Sequence, residues 1–192
     1  GQLADVSTAL RETLEAVKPY YEAAPQNSVG IACAMKNGGV GVGLPDKGRA
    51  TLLIKDGLVV IRTAASDIGQ GCQTVFCQDV AEVTDLPISR IWFGHCNTEN
   101  SPDSGTTSGS RQTLITGEAV RGAALKLKKD MEEEGVTEDT LDRLNGREYS
   151  YEYFDPTDPL GSDKPHPKSH IAYGYATNVA VINEEGRVTD IY

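Results

Sequence analysis

The chemistry open to this chain is concentrated in two short stretches rich in glycine and hydroxyl groups. One is Asp103-Ser104-Gly105-Thr106-Thr107-Ser108-Gly109-Ser110-Arg111-Gln112; the other, Ile68-Gly69-Gln70-Gly71-Cys72-Gln73, lies upstream of it. Glycine lets a backbone come close to a ligand, Ser and Thr hydroxyls donate hydrogen bonds, and the unpaired N–H groups of a helix's first turn favour an anion. Each stretch stands between a strand pattern and a helix pattern, so the two turns could grip one extended phosphate-bearing ligand from two sides. Ordinary turn chemistry and helix capping account for the same residues equally well. Gln70 leans towards the ligand reading, because an amide flanked by glycines can turn outward without backbone hindrance.

The elements that must position these turns follow from periodicity. Leu10, Leu14, Val17 and Tyr21 predict an amphipathic helix over residues 3–22, with Pro19 expected to kink it or end it early. Val29 to Met35 reads as a strand and runs into a flexible glycine-rich loop over residues 37–43 that lacks the Lys and Ser/Thr of a phosphate loop. Two β-rich runs, Ala50 to Ile54 and Leu58 to Thr63, are joined through Lys55-Asp56-Gly57, a strong hairpin signal. A helix over 74–84, a strand over 88–94 and a long helix over 112–133 follow. The long helix carries Thr113, Val120, Ala124, Leu127 and Met131 on one face, and Gly135 stands where a C-cap belongs. A short helix (138–144), a strand (149–154), a polar loop with four prolines (155–167) and a closing hairpin (178–182 with 187–191) complete the chain. The pattern predicts an α+β fold, a mixed β-sheet with helices packed on one face. It divides into the N-terminal helix (3–22), a core unit (29–134) and the Pro-rich loop with the closing hairpin (149–192).

Composition narrows the function classes. A net charge of -10 argues against a nucleic-acid partner, which needs clustered Lys and Arg. No apolar run reaches the roughly 20 residues of a membrane span, and no basic-then-apolar signal opens the sequence, so a cytoplasmic protein is expected. Cys33, Cys72, Cys77 and Cys96 are too few and scattered for a disulfide framework. Cys72 and Cys77 diverge by about 140° around one helix and cannot easily share a metal ion, so no metal site is assigned. Cys72 joins Phe76, Val80 and Val83 at helical spacing and is expected as a buried free thiol. The histidines are His95, His166 and His170. No nucleophile elbow is present, and nothing in the spacing favours Ser108 or Ser110 as a nucleophile beside one of them. The carboxylate runs at 132–134 and 155–158 read as solvated surface, and no catalytic residue is named.

Asp67-Ile68-Gly69-Gln70-Gly71 with Thr74 and Gln78, followed by Thr106-Thr107-Ser108-Gly109-Ser110-Arg111-Gln112 with Thr116-Gly117-Glu118-Ala119-Val120, resembles the cofactor-binding region of the molybdenum hydroxylases, the xanthine dehydrogenase and aldehyde oxidase family. The resemblance runs in the same order from Gly30-Ile31-Ala32-Cys33 to the strand 172–182. It implies a molybdopterin cofactor, in the cytosine dinucleotide form, with molybdenum. Gly69, Gln70 and Gly71 would line one side of it, and Ser108, Gly109, Ser110, Arg111 and Gln112 would wrap its phosphate-bearing end. It also implies hydroxylation of purines, other N-heterocycles or aldehydes with water-derived oxygen. Electrons would leave through iron-sulfur clusters to flavin (FAD) on other domains or subunits. The family's catalytic glutamate has no match here, so the resemblance implies an internal part of a larger subunit, inactive alone. A non-catalytic nucleotide- or phosphate-binding module and an assembly element are the alternatives.

Overall fold

A computed structural model describes residues 9–192. The hairpin at Asp56-Gly57 forms as its sequence dictates. Both residues take positive φ, 53° and 68°, the left-handed pair that matches the twist of tightly joined strands. They connect β2 (Lys47–Lys55) to β3 (Leu58–Arg62) with Lys55 opposite Leu58, before β4 (Ile91–Phe93) and β5 (Glu148–Phe154) extend the sheet. β4 lies parallel to β3 and β5 antiparallel to β2, giving the order β4-β3-β2-β5. Ala50, Leu52 and Ile54 of β2 and Val59 and Ile61 of β3 alternate onto one face and are buried. On that face pack two helices, α2 (Cys72–Thr84) and α3 (Gly117–Glu134), which also touch one another. Each large aliphatic side chain buried there contributes about 1.5–3 kcal/mol. This is the mixed sheet with helices on one face that the periodicity predicts.

A second sheet stands apart from it. β1 (Val29–Gly38), β6 (Ala172–Ile182) and β7 (Val188–Ile191) form an antiparallel layer in the order β1-β6-β7. Local patterning predicts these strands but not their separation, because the partner of β1 lies far along the chain and Val29 pairs with Val181. Helix α1 (Leu10–Ala23) rests on β6 with only Val17 buried, while Leu10, Leu14 and Tyr21 stay exposed. Its expected start at residue 3 lies outside the described residues. Pro19 does not end it: the helix continues to Ala23, and on so exposed an element water can take the carbonyl that Pro19 leaves without a donor.

Two further expectations are corrected in detail. The segment 88–94 begins as a 3-10 turn at Ile88–Arg90, closed by the Arg90 N–H on the Pro87 carbonyl, before it becomes β4. The glycine-rich β1–β2 loop is held rather than flexible. The Val42 N–H donates to the Ser169 carbonyl, the Gly43 N–H to Thr157, and the Val40 N–H to the Asp46 carboxylate at 2.7 Å. The His170 ring lies against Gly41, where a Cβ would come within 2.3 Å of it. No described helix is long and apolar enough to cross a membrane.

Candidate functional site

The turn that feeds α2 builds itself around Asp67. Two residues on, Gly69 donates its N–H to the Asp67 carboxylate at 2.8 Å, the local geometry that an Asp before a glycine turn favours. Gly71 and Gln73 add longer bonds at 3.3 and 3.5 Å. The Gly69 N–H leads in holding this carboxyl below its usual range. The start of α2 is therefore an anion site whose anion is the chain's own. Gln70 is exposed, with its amide folded back on the loop: Oε1 accepts from the Ile68 N–H at 2.7 Å, and Nε2 donates to the Ser66 carbonyl at 3.3 Å. Cys72, the expected buried thiol, lies beneath with Phe76 and Val80, and burial pushes its pKa up.

The hydroxyl-rich turn is organised from behind by Arg111. Its side chain is buried and pairs with Asp46 through Nε. Nη1 donates to the carbonyls of Ser104 (2.6 Å) and Thr106 (3.0 Å), and Nη2 to that of Lys47 (2.8 Å). One guanidinium thus ties the turn, the start of β2 and, through Asp46, the β1–β2 loop. Arg111 was expected to wrap a phosphate; its charge is instead balanced by Asp46 and its donors face the fold. At Gly109 the chain is left-handed at φ 59°, the Gly109 carbonyl accepts the Gly39 N–H, and a Cβ there would sit 3.0 Å from the Gly39 carbonyl oxygen. Ser110, a non-glycine residue, follows at φ 55°. Two successive left-handed residues are an unusual and strained arrangement. Among the described residues the N–H groups of Ser108, Gly109 and Ser110 find no acceptor.

Gln112 is also turned inward. It opens a π-helical turn, Gln112–Thr116, closed by the Gly117 N–H on the Gln112 carbonyl. The extra residue in that turn shifts the phase of the helix that follows. Val120, Ala124, Leu127 and Met131 therefore reach the core as predicted, while Thr113 is exposed and Gln112, Ile115 and Thr116 are buried. The Gln112 amide accepts from the Thr116 hydroxyl and donates to Thr107 Oγ1 at 2.9 Å and the Thr106 carbonyl at 3.3 Å. Thr107 in turn donates to the Ser66 carbonyl at 2.8 Å, joining the second turn to the first.

The two turns meet around one cavity of about 390 Å³, with Ile68 and Gln70 on one wall and residues 107–113 on the other. No acidic residue lines it, although the chain carries a net charge of -10. Exposed Ser108 and Ser110 hydroxyls, the unused N–H groups behind them and the Gln70 amide offer neutral donors, while Ile68 offers an apolar surface. Such a cavity can take up an anion attached to a larger polar body. Asp46 and Thr107 carry much of this geometry. No sequence pattern marks Asp46; Thr107 stands within the hydroxyl run, but its role depends on Ser66 lying opposite. Among the described residues, no three His, Cys, Asp or Glu side chains gather as metal ligands.

The sequence profile of the molybdopterin cofactor-binding domain matches residues 8–183. The aldehyde oxidoreductase of Megalodesulfovibrio gigas is 31% identical over 150 residues, covering 71% of this chain and 16% of that protein. The putative xanthine dehydrogenase molybdenum-binding subunit of Escherichia coli K12 is 34% identical over 106 residues, covering 54% of this chain and 14% of that protein. The solved aldehyde oxidoreductase from Desulfovibrio gigas superposes with a TM-score of 0.77 at 25% identity, over 94% of this chain and 22% of that one. The chain thus spans 14–16% of the length of these two curated relatives.

Proposed function

As this chain belongs to the molybdopterin cofactor-binding domain family of the aldehyde oxidoreductase and xanthine dehydrogenase enzymes, we propose that its paired turns hold the phosphate-bearing end of a molybdopterin cofactor in its cytosine dinucleotide form. The observation that carries this reading is the convergence of both glycine turns on one cavity free of carboxylates. The donor set suits the group. Three unused N–H groups in a left-handed turn and two serine hydroxyls can receive phosphate oxygens, and Gln70 can offer both a donor and an acceptor to the ligand's polar body. Gly69 and Gly71 shape the Gln70 wall, whereas Arg111 and Gln112 support the phosphate wall from within the fold.

When bound, the molybdenum cofactor supplies the redox chemistry, hydroxylation of an aldehyde, purine or other N-heterocycle with oxygen from water. This chain's own contribution is binding and orientation. Iron-sulfur and flavin domains or subunits would receive the electrons, and the rest of the molybdenum-binding subunit would complete the substrate pocket. Four cysteines, all unpaired, suit a reducing cytoplasm. The test is the molybdenum and nucleotide content of the native polypeptide captured with an antibody against this chain. Molybdenum together with cytidine nucleotide released on acid denaturation is expected. A metal-free, nucleotide-free polypeptide of about 21 kDa, close to the 20.6 kDa of the chain, would overturn the reading.

A further inference from the structure

The Ser66 carbonyl is where the two walls of the cavity are fastened, and the fastening has a direction. At one end the Arg49 N–H can only donate, and it does so to Ser104 Oγ at 3.0 Å. At the other end the Ser66 carbonyl can only accept. Between them run Ser104 to Thr116 at 2.7 Å, Thr116 to the side-chain Oε1 of Gln112, Gln112 Nε2 to Thr107, and Thr107 to Ser66. Because the Thr116 proton is committed to Gln112, Ser104 must donate to Thr116, and every hydroxyl in the chain points towards Ser66. The Thr106 carbonyl, also facing Gln112 Nε2, fixes the same amide orientation. Ser104, Gln112 and Thr116 are buried, so water cannot readily substitute for any of these three, while the final link from Thr107 to Ser66 lies at the surface.

We propose that Thr107, kept in its donor orientation by Gln112, is a positioning residue that latches the Ser66–Gly71 loop to the hydroxyl-rich turn and so fixes the width of the cavity. The latch itself follows from the hydrogen-bond geometry, and its use in retaining a cofactor rests on the functional reading above. Thr107→Val removes the hydroxyl at nearly constant shape. Gln112→Glu keeps the shape but has no N–H to offer, so the Thr107 proton turns to the carboxylate and leaves Ser66.

Amide hydrogen exchange over residues 66–71 of the full chain, read by mass spectrometry, decides the matter. Thr107→Val and Gln112→Glu should exchange about fivefold faster there, the factor expected for one net hydrogen bond. Thr107→Ser, which restores the hydroxyl, should exchange like the wild type. Wild-type protection in a folded Thr107→Val chain would overturn the latch, and that variant alone decides the case should Gln112→Glu fail to fold. Cytidine diphosphate titrated into the wild type separates the two claims, since absence of binding counts against the functional reading while the exchange result stands by itself.

Discussion

At the start of α2 three N–H groups converge on the Asp67 carboxylate, whereas at the hydroxyl-rich turn those of Ser108, Gly109 and Ser110 meet no acceptor among the described residues. Both turns lead into a helix, both are rich in glycine, and both border one cavity. Their electrostatic states are nevertheless opposite, because one already contains its negative charge. Asp103 repeats the Asp67 device at the outer end of the second turn, accepting the Gly105 N–H at 2.9 Å, but that bond leaves residues 108–110 untouched. Glycine content therefore does not distinguish a filled anion site from an open one; the position of the nearest carboxylate does. The buried cation behind the open turn is held by Asp46, so the turn presents neutral donors and shape rather than net charge.

The strongest way to break this contrast is to remove the support of the open turn. Arg111→Leu leaves Asp46 buried without its partner and should cost about 3–5 kcal/mol in urea unfolding, with exchange protection lost first at residues 104–112. Gly109→Ala forces a side chain into a left-handed backbone against the Gly39 carbonyl. It should cost about 1–3 kcal/mol by the same measurement. At the filled turn the effect is pH-dependent. The folded-state pKa of Asp67 is depressed, so its stabilisation is present above the ordinary aspartate value of about 4 and is lost as pH falls through the lower folded value. Asp67→Asn should flatten that part of the acid limb of a melting-temperature profile, the part lying below the ordinary aspartate value. The smallest effect on stability belongs to exposed Gln70. Gln70→Ala should change unfolding by less than about 0.5 kcal/mol while lowering the molybdenum content of the complete enzyme; unchanged occupancy would remove Gln70 from the cofactor site.

Much of the core was legible because its signals are local. Asp56-Gly57 specifies its own turn, and the spacing of Val120, Ala124, Leu127 and Met131 specifies a helix face whichever sheet it meets. The separate β1-β6-β7 layer was not legible, since strand patterning says which residues alternate and not which distant strand they join. Within the site, the glycine and serine positions could be read as a turn that approaches a ligand. The inward fate of Arg111 and Gln112 could not, for it depends on Asp46 arriving from another loop and on the one-residue phase shift of the π turn.

The pairing of β1 with β6 also sets a timetable. Cys33 and its partner Thr177 are 144 residues apart in the chain. At a synthesis rate of about 5–20 residues per second, β1 emerges roughly 7–30 s before the strand that pairs with it. In the last part of that interval, once α3 is complete at Glu134 and before β6 begins at Ala172, Ile31, Cys33 and Met35 sit on a strand with two free edges although the residues of β2, β3, α2 and α3 have been made. What that strand lacks is a partner for its backbone N–H and C=O groups, and an edge left unpaired in this way invites aggregation until β6 arrives.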